Sequence, residues 1–91
     1  MANISILKQH DKPEAEIESL VEDLQHELSS RYGCICKREG DNIDIRRSGI
    51  SGQLRLMQNQ VAVDIKLGPM MGVFANRLEP VIRRKLDEHL D

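Results

Sequence analysis

The stretch RRSGISGQLRLM, residues 46–57, decides how this chain folds. It leads directly into QNQVAVDIKL, residues 58–67, where Val61, Val63, Ile65 and Leu67 alternate with other residues. Such alternation marks a strand with one buried face. Leu54 and Leu56 fall on even numbers, whereas Ile43 and Ile45 fall on odd ones. A two-residue loop pairs an odd position with an even one, so each tight hairpin flips the parity of the inward set. Loops at Gly40-Asp41, Ser48-Gly49 and Gln58-Asn59 then produce one consistent inner face. On it Cys36 opposes Ile45, Ile43 opposes Leu54, Ile45 opposes Gly52, Leu54 opposes Val63, and Leu56 opposes Val61. On the other face Lys37 opposes Asp44, an exposed couple of opposite charge. Arg38 and Arg47 share the inner parity and are expected to snorkel outward at its edges.

The same stretch could in principle carry chemistry. A nucleophile elbow requires Gly-x-Ser-x-Gly on a strand-to-helix turn. Gly49-Ile50-Ser51-Gly52-Gln53 has its second glycine one place early, and its flanks read as strands. A phosphate loop opens onto a helix N-terminus, and here a strand follows. Ser48, Gly49 and Gly52 are therefore expected to be structural: Gly49 supplies a positive φ in the turn, and Gly52 leaves space under a packing helix.

Upstream, ISILKQH reads as a first strand with Ile4 and Ile6 on one side. In DKPEAEIESLVEDLQHELSSRYG, the residues Ile17, Leu20, Val21, Leu24, Leu28 and Tyr32 make one apolar helical stripe. Asp11 with Glu14 predicts a capping box, and Gly33 a left-handed C-terminal cap. Downstream of Leu67-Gly68-Pro69, a second stripe runs through Met70, Met71, Phe74, Leu78, Val81, Ile82, Leu86 and Leu90. Pro80 within it predicts a kink, or a helix that starts near Asn76 with Glu79 completing a second capping box. The order is β, α, three or four antiparallel strands, α. That predicts a single α+β domain over residues 1–91, a meander sheet packed in two layers against two amphipathic helices.

Composition limits the function classes. Apolar residues make up 40% and charged residues 31%, as in a soluble globular chain with one modest core. The net charge of -2 supplies no global drive toward nucleic acid. Tyr32 and Phe74 are the only aromatic residues, too few for base-stacking platforms. No run reaches the roughly 18 apolar residues of a transmembrane helix, and MANISILKQH lacks the form of a signal peptide. A cytoplasmic location with two reduced thiols is expected.

Few residues invite a chemical role. Cys34 and Cys36 lack a second ligand pair for a structural zinc and read as small buried hydrophobes. His26 and His89 lack a partner for nucleophilic or acid–base work and read as solvated. Glu14, Glu16, Glu18, Glu22, Asp23 and Glu27 read as a wet acidic helix flank, and Arg83, Arg84 and Lys85 as a wet basic one. No catalytic, cofactor-binding or metal-ligating residue is expected. The suggestive segment is LGPMMGVF, where Met70, Met71, Val73 and Phe74, with Leu78 beyond, form an adaptable apolar contact patch.

Three stretches, GDNIDIRRSGISGQLRL, VAVDIKLGPMMGVF and RLEPVIRRKLDEHL, together resemble the polyhydroxyalkanoic acid system proteins, small bacterial proteins of about this length. The shared pattern is Ser48, Gly49 and Gly52, then Leu67-Gly68, then a final helix with Leu86-Asp87. The resemblance covers essentially the whole chain, departing at CICKR and at Pro80. It implies a role in polyhydroxyalkanoate storage and transfers no catalytic residues. The leading expectation is a non-enzymatic accessory protein at the storage granule surface, with the granule or its proteins as partner. The alternatives are a small-ligand domain or enzyme using Cys36 and Arg47, and an adaptor using a sheet edge or the basic cluster. The scarcity of aromatics leaves room for a homodimer.

Overall fold

A computed structural model describes residues 2–91. In chain order the elements are β1 (Ala2–Gln9), α1 (Glu14–Tyr32), β2 (Ile35–Glu39), β3 (Asn42–Arg47), β4 (Ile50–Met57), β5 (Gln60–Leu67) and α2 (Gly72–Leu90). A single 3₁₀ turn over Pro69–Met71 leads into α2. The strands form one antiparallel sheet in the order β1-β5-β4-β3-β2.

The register follows the parity of the sequence. Cys36 pairs with Ile45, Ile43 with Leu54, Ile45 with Gly52, Leu54 with Val63, and Leu56 with Val61. Lys37 lies opposite Asp44 on the outer face. In two of the hairpin loops the second residue takes a positive φ, 83° at Gly49 and 66° at Asn59. The strained geometry that a tight loop demands is thus taken up by glycine at one turn and by asparagine, the side chain best suited to it after glycine, at another.

Strands β1 and β2 sit at opposite edges of the sheet, so α1 must cross beneath it, and the meander then returns the chain to β1. Ile17, Leu20, Val21, Leu24 and Leu28 of α1 and Leu78, Ile82, Leu86 and Leu90 of α2 are buried against the inner face. The opposing sheet residues are Ile4, Ile43, Ile45, Leu54, Val61, Val63 and Ile65. No polar or charged residue is buried among the described residues, so apolar burial carries the cohesion of the two layers. Among the described residues, the outer face carries no helix.

Helix termini depart from the sequence expectation in two ways. No capping box forms at Asp11, because α1 starts directly after Pro13, whose carbonyl accepts the amides of Glu16 and Ile17 at 3.0 and 3.3 Å. Of the two readings of Pro80, the later start near Asn76 is the one that fails: the last helix begins at Gly72 and runs through the proline. Continuing the helix across a proline leaves one carbonyl without its intrahelical partner, and burial of the flanking Leu78 and Ile82 offsets that loss. Gly33, by contrast, takes the left-handed cap at φ 67°.

Gly52 is also differently used. A Cβ there would lie 2.7 Å from Ile65 Cγ1 and 2.9 Å from the Asp64 carbonyl oxygen. The space it leaves is filled by the neighbouring strand β5 rather than by a helix.

Candidate functional site

Three segments distant in sequence meet at the end of the molecule where β3 turns into β4. Helix α1 ends there, and its terminal carbonyl on Tyr32 accepts a hydrogen bond from Arg47 Nη1 at 2.8 Å. The Arg47 guanidinium lies 5.0 Å from the centroid of Phe74 at the start of α2. Phe74 in turn meets Tyr32 edge to face, with centroids 5.4 Å apart and planes at 88°. Aromatic pairs in this geometry contribute about 0.5–1.5 kcal/mol beyond area burial, and an exposed cation over a ring about 0.5–1 kcal/mol.

The second link runs through the turn. The Gly68 amide donates to the Gly49 carbonyl at 2.9 Å, and the Met71 amide donates to the Gly68 carbonyl at 3.0 Å. Met71 folds over Gly49 so closely that a Cβ on the glycine would stand 3.0 Å from Met71 Cγ. Ser48 beside it is exposed. The turn therefore seats the methionine segment, an arrangement neither stretch reveals alone.

This seating splits the apolar segment. Met71 and Phe74 are half-buried against the core, and Leu78 is fully buried within it. Met70 and Val73 point outward, 93% and 71% exposed. The expectation of one contact patch from Met70 to Leu78 is thereby corrected: Leu78 has no surface to offer, because its position on the helix faces the sheet.

The other candidates resolve as follows. Cys34 is buried, Cys36 half-buried, and both are free thiols. Burial pushes both thiols above their ordinary value, opposed at Cys34 by Arg47 and reinforced at Cys36 by Cys34. Both are protonated at neutral pH, and a protonated thiol is a poor nucleophile. Arg47 is committed to Tyr32 and Phe74, so the pair expected to serve a ligand site is not brought together around one. The void between the layers beside Cys36, lined by Leu24, Leu28, Ile43, Leu54 and Ile82, measures about 10 Å³. That is room for one water at most. No group of three or more His, Cys, Asp or Glu is arranged to hold a metal among the described residues.

His89 is not solvated. Its Nδ1 lies 3.0 Å from Glu16 and its Nε2 3.0 Å from Asp23, so one imidazole spans two carboxylates of α1. The hydrogen bond to Asp23 raises its pKa above the ordinary value, with burial opposing and Glu16 adding. Asp23 is correspondingly lowered, by His89 first and by Lys85, again against burial. The acidic flank of α1 is wet, as expected, at Glu14 and Glu22, but other members are paired. Glu18 takes a two-point ion pair from Arg38 at 2.5 and 2.7 Å, and Lys85 reaches Asp23 at 3.0 Å. Arg83 and Arg84 pair with Glu79 and Glu88 on their own helix, so the basic cluster is largely spent within the chain.

A family model described as "Putative polyhydroxyalkanoic acid system protein" matches residues 4–90. Nothing matches among curated proteins or among solved structures.

Proposed function

The chain belongs to the polyhydroxyalkanoic acid system protein family, and from that premise we propose that it is a cytoplasmic, non-enzymatic accessory protein that sits on the storage granule. The observation that carries this reading is the outward pair Met70, on the 3₁₀ turn, and Val73, at the start of α2, 93% and 71% exposed. Buried apolar surface contributes roughly 25 cal/mol per Å², so two such side chains supply a modest and reversible attachment to a hydrophobic body. No helix is long and apolar enough to cross a membrane among the described residues, which suits peripheral contact.

A fluorescent fusion in granule-accumulating cells tests the proposal. Rings of fluorescence around the granules are expected, and Met70→Asp with Val73→Asp should disperse them. Diffuse fluorescence from the unaltered chain would sink the reading.

A further inference from the structure

The charges of this chain are segregated by position. The end that carries Met70 and Val73 is where Tyr32, Arg47, Gly49, Gly68 and Phe74 meet. Within five residues of those five in sequence lie six basic side chains, Arg31, Lys37, Arg46, Arg47, Lys66 and Arg77, and four acidic ones, Glu27, Asp44, Asp64 and Glu79. Of the chain's 13 basic and 15 acidic residues, seven basic and eleven acidic ones therefore lie elsewhere. An acidic protein thus presents a basic end.

Most of that positive charge is uncommitted. Glu27 pairs with Arg31 at 3.4 Å. No carboxylate lies within ion-pairing distance of Arg46, Arg47, Lys66 or Arg77 among the described residues. The first turn of α2 contains no acidic residue, so the positive end of its dipole adds to the same field. Exposed apolar side chains set among cations at a helix start are the arrangement that binds anionic amphiphiles, the apolar groups entering the acyl boundary and the cations meeting headgroups. Nucleic acid fits less well, because Tyr32 and Phe74 pack against each other and leave no free ring for a base to stack on.

We infer that this end docks on an anionic phospholipid surface, with Met70 and Val73 inserted and Arg46, Lys66 and Arg77 facing the headgroups. The inference takes its biological setting from the granule reading and says which chemistry at a granule boundary would be recognised.

Vesicle flotation with the full chain tests it, comparing equal parts phosphatidylcholine and phosphatidylglycerol with phosphatidylcholine alone. The chain contains no tryptophan, so Val73→Trp gives a reporter at one site. Binding to the anionic vesicles about tenfold or more above the neutral ones is expected, falling with salt, together with a blue shift of the indole emission in the Val73→Trp variant. The double substitution Arg46→Glu, Arg77→Glu should weaken binding by about tenfold or more while thermal unfolding is unchanged, both side chains being exposed.

Absence of binding, binding without a blue shift, or binding indifferent to the charge reversal each overturns the inference. Granule rings without vesicle binding would remove the lipid and keep the granule. Vesicle binding with a diffuse fusion would do the opposite.

Discussion

At Gly52 the neighbouring strand stands where a Cβ would go, 2.9 Å from a backbone oxygen that cannot swing aside. Gly52→Ala should cost about 1–3 kcal/mol, read as a lower urea midpoint with an unchanged slope. At Gly49 the cause differs: φ of 83° strains any side chain, by about 1–2 kcal/mol, and Met71 would also have to give way. Gly49→Ala should therefore alter the environment of the methionine segment, visible in the Met71 methyl resonance, whereas Gly52→Ala should not. His89 sets a pH dependence. Its folded pKa is raised, so its contribution is complete below the ordinary value of 6.5 and is lost as pH climbs through the folded value. Asp23 is lowered, so its share is present above 3.8 and lost as pH falls through its folded value. Stability from this cluster is fullest between those limits. His89→Gln should flatten the alkaline decline in unfolding free energy, by no more than about 1 kcal/mol because the partners are partly solvated; an undiminished decline would remove His89 as its source. The positive φ of Gly49 was legible in the sequence because the hairpin is local, whereas the reason for Gly52 was not, since Asp64 and Ile65 reach it from another strand. Nor was the role of His89, since Glu16 and Asp23 lie 73 and 66 residues away and meet it only once the helices have packed.

At the scale of elements, α2 contains the clearest misfit. Pro80 lies well inside a helix of 19 residues and is exposed. Interior proline costs a helix about 3 kcal/mol relative to alanine, so Pro80→Ala should raise stability by about 1–3 kcal/mol in chemical denaturation unless the bend it imposes fits the sheet. A loss would identify that bend as required for packing. The sequence presented a proline and two readings of it. The continuous apolar stripe on both sides favoured the unbroken helix, because burial of Leu78, Ile82 and Leu86 outweighs one lost hydrogen bond. The capping boxes misled for a related reason: Ser, Asp and Asn caps act only where the backbone leaves amides free at that spot, and Pro13 and Gly72 set the starts instead. The arginines on the inner parity, Arg38 and Arg47, did reach outward, and each found its partner on α1, clamping sheet to helix at opposite ends.

Across the whole molecule, cohesion is uneven. Strand β2 forms an edge with Cys36 as its one half-buried residue and Ile35 64% exposed, while β5 lies inside the sheet with Val61, Ala62, Val63, Ile65 and Leu67 buried. Native-state hydrogen exchange should therefore run fastest among the strands in β2 and slowest in β4 and β5. Equal protection in β2 and β5 would show that its outer edge is covered by another chain. Parity in the sequence made the sheet legible, whereas the polarity of charge along the body was not, because it arises only when the segments around Tyr32, Arg47 and Phe74 come together. The two-residue hairpins also bear on inheritance. Inserting one residue in any of these loops would turn every later strand inside out unless a bulge absorbed it, whereas two residues would preserve the pattern. Length variation among relatives should thus gather in the segments flanking the helices, leaving the meander between residues 35 and 67 nearly constant in span.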